Sequence, residues 1–192
     1  MTQHEMQDYK AALQSYQRAL AIRIKLFGEE HESTADSYRT LGVTQANMHD
    51  YSSALQSFQR ALAIRIKLFG EESESTAQSY GELGVTQHEM KDYKGALQSK
   101  QRALAIRIKL FGEEHESTAD SYRVLGVTQA NMDDYTSALQ SVQHVLAIRI
   151  KLVSSNKPHS FFGRIPVVLE NRRSSHGGGV RTPCTLPLDP PL

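Results

Sequence analysis

Tyr9, Tyr51, Tyr93 and Tyr135 recur every 42 residues, each preceded by an aspartate at 8, 50, 92 or 134. Gly42, Gly84 and Gly126 keep a second register, and Gly28, Gly70 and Gly112 a third. A period of roughly 20–50 residues means stacked supersecondary units, none able to bury its apolar face alone. A period of 84 lies on top: residues 3–30 match 87–114 at 25 of 28 positions, and 31–68 match 115–152 at 32 of 38. A two-repeat unit was therefore duplicated. Recurrence within the chain says little about selection on any one residue.

Each unit reads as two helices. Helix A, exemplified by 33–48, places Ala35, Tyr38, Leu41, Gly42 and Gln45 at three-to-four spacing. Ser33 with Asp36, Ser75 with Gln78 and Ser117 with Asp120 have the spacing of capping boxes at its start. Helix B, exemplified by 51–69, puts Ala54, Leu55, Phe58, Ala61, Leu62, Ile66 and Phe69 on one stripe, with Asp50 as N-cap. Gly70 then suits the left-handed residue that ends a helix. No apolar alternation of useful length predicts a strand.

The pattern stops near residue 152. All six prolines lie beyond it, as does the run Gly177-Gly178-Gly179. Residues 153–192 carry five Lys/Arg against two Asp/Glu, and residues 1–152 carry 17 against 19. The tail, with Phe161-Phe162 and 165–169 as its one apolar cluster, is expected to be disordered, since it has little apolar surface to offset ordering entropy. By register the array is cut at both ends. Only the last turn of a first helix A remains, at Gln3 to Met6, and Val153-Ser154-Ser155-Asn156 stands where Phe-Gly-Glu-Glu is expected. The expectation is a fragment, or a coding region ending in an unrelated exon, with truncated ends able to self-associate.

The spacing Tyr38-x2-Leu41-Gly42-x2-Gln45, followed by Ala54-x3-Phe58 and Ala61, resembles the tetratricopeptide repeat. Tyr80, Leu83, Gly84 and Tyr122, Leu125, Gly126 repeat the first part, and Ala12, Ala96 and Ala138 the second. The extended Ala-Leu-Ala-Ile-Arg-Ile-Lys-Leu-Phe-Gly-Glu-Glu-His segment looks like the longer kinesin-light-chain and nephrocystin-type subclass. The resemblance implies an all-α, right-handed α-solenoid of about three and a half units over 1–152, with the tail at 153–192. Two departures stand out. Helix A has Tyr rather than Trp at its large position. Lys100 occupies the place of Tyr16, Phe58 and Val142, weakening that contact unless its stem snorkels outward.

The resemblance further implies that helix A lines a groove holding a partner peptide or helix. Carried over by register, the groove positions are Asp36, Arg39, Thr40, Val43, Ala46 and Asn47; then Gln78, Gly81, Glu82, Val85, His88 and Glu89; then Asp120, Arg123, Val124, Val127, Ala130 and Asn131. Asn47 and Asn131 would bond a peptide backbone, and Arg39 and Arg123 its carboxylates. Against this stands the plainer alternative that Asp36–Arg39 and Asp120–Arg123 are i,i+3 pairs on a solvated face. Arg39, Val43, Glu82, Asp120 and Val124 stand where chaperone-binding members clamp a terminal carboxylate, and two acids and two valines do not suit that ligand.

No P-loop, G-x-G-x-x-G, H-E-x-x-H or nucleophile elbow occurs, so neither catalysis nor a cofactor is expected. Glu29, Glu30, His31 and Glu32 lack paired ligand spacing and read as a solvated loop rather than a metal site. The single Cys184 excludes an internal disulfide, and with no apolar run near about 20 residues the expected place is the cytoplasm. One rival deserves its own test. Arg23, Arg65, Arg107, Arg149 and Lys25, Lys67, Lys109, Lys151 form ladders able to meet phosphates. Internal pairing with Glu29, Glu30 and their equivalents is the favoured alternative, so no nucleic acid or membrane partner is expected. The expected function is a non-catalytic protein-interaction scaffold. The alternatives are a fragment of a cargo adaptor, which requires a heptad coiled coil, or the repeat arm of a larger signalling NTPase.

Overall fold

A computed structural model describes residues 3–155, and side chains from residue 7 onward. Seven helices follow one another: α1 (Gln3–Phe27), α2 (Glu32–Asn47), α3 (Tyr51–Phe69), α4 (Glu74–Glu89), α5 (Tyr93–Phe111), α6 (Glu116–Ala130) and α7 (Tyr135–Ser155). Each packs against its sequence neighbours, which makes an α-solenoid of helix-turn-helix repeats with no strand among the described residues. Even-numbered helices are the A helices and odd-numbered ones the B helices. The disorder expected of the tail lies outside the described residues, and α7 itself runs three residues past 152.

Small residues bring the helices together. Ala35, Ala54, Ala61, Ala77, Ala96 and Ala119 are fully buried, with Leu41, Leu83 and Leu125 beside them. A Cβ on Gly42 would lie 2.8 Å from the Phe58 ring, and one on Gly84 would lie 2.7 Å from Lys100 Cγ. Those glycines are required by close approach rather than by backbone angle. The opposite holds at Gly70, whose φ of 81° closes α3.

Asp50, Asp92 and Asp134 cap the B helices as expected, accepting from the backbone N–H of Ser53, Gly95 and Ser137 at 3.0–3.1 Å. Side-chain and backbone hydrogen bonds from Ser137 hold the Asp134 carboxyl below the usual range. The A helices start differently from the expected capping boxes. The caps are His31, Ser73 and His115, which accept from Ser33, Thr76 and Ser117 N–H at 3.1, 3.2 and 3.1 Å. Ser33, Ser75 and Ser117 lie inside the first turn instead. The reason lies in the interhelical loop: buried Thr34, Thr76 and Thr118 each donate a hydroxyl to the carbonyl of Gly28, Gly70 or Gly112, six residues back, at 2.8 Å. These bonds pull each A helix start towards the end of the preceding B helix. Thr76→Val keeps the shape and strands a carbonyl, so it is expected to cost about 1–2 kcal/mol in a denaturant titration. An unchanged midpoint would mean that this bond does not set the helix start.

The first unit departs from expectation as well. Gln3 to Met6 do not form a separate last turn of helix A; they run straight into helix B as α1. In later units His49, Lys91 and Asp133 turn the chain with φ of 60–63°. Such left-handed residues cost about 1–2 kcal/mol and form here where an A helix folds back on its B helix.

Candidate functional site

A cavity of about 390 Å³ opens where α2, α4 and α6 stand side by side. Val43, Ala46 and Asn47 come from α2, Gln78, Gly81, Glu82 and Val85 from α4, and Val124 from α6. These are expected groove positions. The vacancy has a simple local cause. Arg39 and Arg123 occupy one register, and Gly81 is their counterpart in the middle unit, where a Cβ would meet nothing within 4 Å. The middle repeat omits a long side chain and leaves room in its place. Val43, Val85 and Val127 add a line of exposed apolar side chains one repeat apart.

Helix B residues that sequence reasoning missed complete the lining: Phe58 from α3 and Lys100, Ala103 and Arg107 from α5, together with Thr86 and Ser121 from the A helices. The signal was available in Gly42 and Gly84, since a glycine on helix A exposes the helix B residue behind it. Lys100 corrects an expectation. Its stem does not snorkel outward: the residue is 5% exposed, and Nζ turns inward to donate to Thr128 Oγ1 at 2.6 Å. Burial lowers its pKa from 10.5 to about 8, partly offset by the field of Glu89. The inward route exists because Gly84 leaves a channel beside Lys100, while Thr128 offers an acceptor on α6.

The charged candidates are largely engaged with each other. Arg39 Nε donates to Glu82 Oε1 at 2.6 Å, and Gln78 Nε2 reaches the same oxygen at 3.2 Å. Arg39 is therefore not paired with Asp36, which accepts from Arg65 Nη2 at 3.0 Å. The i,i+3 pair does form in the last unit, Arg123 Nε to Asp120 at 3.6 Å, with Arg149 sharing Asp120. Asn131 Nδ2 lies 2.6 Å from His88 Nε2, and Glu89 lies 3.7 Å from the other nitrogen of that ring. Asp36, Arg39, Glu89, Asp120, Arg123, Val127 and Asn131 lie outside the cavity lining. What remains open at its centre is mainly apolar.

The basic ladders close on acidic loops. Lys67, Lys109 and Lys151 pair with Glu30, Glu72 and Glu114 of the preceding unit. Arg107 and Arg149 reach Glu74 and Glu116 at 3.2 and 3.0 Å. The pairs tie α3, α5 and α7 each to the unit before it. Among the described residues no group of His, Cys, Asp and Glu is arranged to hold a metal ion. No described helix is long and apolar enough to cross a membrane.

Comparison with known proteins follows the same lines. The tetratricopeptide repeat model matches residues 1–67, 45–109 and 75–151. No curated protein matches the sequence. Among solved structures, BtubC (BKLC) from P. vanneervenii superposes with a TM-score of 0.70 at 24% identity, over 91% of this chain and 65% of that one. The nearly identical TPR-like repeats of a kinesin light chain candidate from Podosopora anserina give 0.67 at 22% identity, over 75% and 68%. The apo form of RapI gives 0.65 at 24% identity, over 77% of this chain and 39% of that one. The chain thus spans less than two thirds of BtubC and RapI. At these identities the likeness is one of fold.

Proposed function

The chain belongs to the tetratricopeptide repeat family, and from that premise we propose that it is a non-catalytic interaction scaffold whose A helices receive a partner peptide or helix. The observation that carries this reading is the cavity opened by Gly81 beside the exposed valines 43, 85 and 127. Apolar pockets with a few polar groups at the rim are the usual form of a binding site. A bulky apolar side chain of the partner enters the space above Gly81, and Asn47 at its edge bonds the partner backbone. Arg39 and Arg123 serve as carboxylate ligands only by leaving Glu82 and Asp120, so they rank below the apolar contacts. A narrower role as the repeat portion of a cargo adaptor is supported by the likeness to kinesin-light-chain-like repeats. A role as the repeat arm of a larger signalling NTPase rests on the repeat fold alone.

The test fills the vacancy with the residue that neighbouring units carry. Peptides selected from a displayed random library on the native chain are expected to share a bulky apolar residue. Gly81→Arg is expected to weaken them about tenfold or more in calorimetry, roughly 1.4 kcal/mol, without lowering the melting midpoint. Selected peptides that bind Gly81→Arg equally well would place the site elsewhere.

A further inference from the structure

Two departures from the repeat pattern fall on one cavity. Gly81 stands where neighbouring units carry Arg39 and Arg123, and Lys100 stands where other units carry Tyr16, Phe58 and Val142. Both residues line the space between α2, α4 and α6. The glycine empties that space, and the lysine places an amine in its wall.

Lys100 is built in without a carboxylate. Its stem packs under Gly84 of α4, and Nζ donates to Thr128 Oγ1 at 2.6 Å and to the Val124 carbonyl at 3.5 Å, both on α6. The charged groups on the helices around it are engaged with one another. On α4, Glu89 supplies a field that favours the charge but lies against the His88 ring at 3.7 Å, and His88 meets Asn131. Glu82, also on α4, is held by Arg39 of α2 and by Gln78. On α5 itself, Arg107 bonds to Glu74 and Ser121. The lining residues from α3 and α6, Phe58, Ser121 and Val124, carry no charge.

Thr128 suits either protonation state. A hydroxyl accepts from an ammonium and donates to a neutral amine, so this contact survives loss of the proton. A carboxylate in its place would hold the proton on. Burial has already brought the Lys100 pKa from 10.5 to about 8, where a further change in solvation alters the proton count near neutral pH. The residue is 5% exposed and borders water where it lines the cavity.

We propose that the groove is proton-linked: an uncharged, apolar side chain filling the cavity drives the proton off Lys100, so the chain captures that partner more tightly as pH rises. The proposal rests on the reading of the cavity as the binding site. The ammonium becomes a neutral amine held by Thr128, and the proton goes to the buffer. The entering side chain displaces water that stabilised the ammonium and gives it no new acceptor. The complex therefore holds the proton less tightly than the free chain does, and affinity climbs through the range where the free chain loses it. A partner inserting a carboxylate would reverse the sign.

The probe is the peptide selected on the native chain, titrated by calorimetry into the full 192-residue chain in phosphate and in Tris, which differ in heat of ionisation. At about pH 8 about half of the free chains carry the Lys100 proton, so release of up to about half a proton per peptide is expected. The Kd is expected to fall about three- to tenfold from about pH 7 to about pH 9. Lys100→Met abolishes the release and flattens the profile; the proton count itself is read on the native chain and needs no variant. Heats independent of buffer, from a peptide that Gly81→Arg still weakens, overturn the proposal and leave the binding site in place. Proton uptake overturns it and makes the inserted group an acid. Release that persists in Lys100→Met also overturns it, assigning the proton to another group. Peptides indifferent to Gly81→Arg remove the site, and the proposal with it.

Discussion

Lys100→Met is expected to stabilise the array by about 2 kcal/mol at neutral pH, raising the melting midpoint by about 4–8 °C. Methionine keeps the length and flexibility of the buried stem beside Gly84 and removes the charge. Among the described residues Lys100 Nζ has hydrogen bonds to Thr128 Oγ1 and the Val124 carbonyl but no ion pair. A buried ammonium without a carboxylate is penalised by lost solvation. Depression from 10.5 to about 8 sets an upper scale of about 3 kcal/mol for that penalty, and the lost hydrogen bond to Thr128 offsets part of the gain. The sign with pH follows directly. The folded chain holds the Lys100 proton less tightly than the unfolded chain does, so the penalty is full below about pH 8 and fades as pH rises towards 10.5. The advantage of Lys100→Met should shrink across that window in parallel denaturant titrations. A constant difference, or none, would show that the ammonium reaches water.

The second large effect is steric. Gly42→Ala places a methyl group 2.8–2.9 Å from three carbons of the Phe58 ring, closer than van der Waals contact allows. Phe58 is buried with Ala54 and Leu83 in the core between α3 and α4, so its ring, although it lines the cavity, yields to the methyl group only by giving up that packing. Overpacking of this kind costs about 1–3 kcal/mol, and the figure expected here is near the top of that range. The cause can be isolated with Phe58→Val, which installs the residue found at the equivalent position 142. In that background Gly42→Ala should cost less than half as much. A cost that persists without the ring would place the strain in the helix backbone instead.

Much of the fold was legible because its determinants are local. The spacing of Tyr38, Leu41 and Gly42 announces an A helix, Asp50 caps its partner through a residue three positions on, and Gly70 ends it with a left-handed turn. The groove was half legible for the same reason. Val43, Val85 and Gly81 are A-helix positions read by register, whereas Phe58, Lys100 and Arg107 reach the cavity from the helices behind. Arg39 read either as a ligand for a partner's carboxylates or as the i,i+3 partner of Asp36, its nearest acid in sequence. Its partner Glu82 lies 43 residues away.

By itself the sequence determined the repeat length, the number and order of the helices it covers, and which small residues permit their approach. These follow from hydrogen bonds and steric contacts that span a few residues. Only the tertiary structure decided that Lys100 points inward and that the ladders close on Glu30, Glu72 and Glu114. It alone showed that a missing side chain at Gly81 becomes a cavity. Those outcomes depend on groups brought together by stacking one repeat on the next, where burial makes one hydrogen bond or one unfilled volume outweigh any local preference.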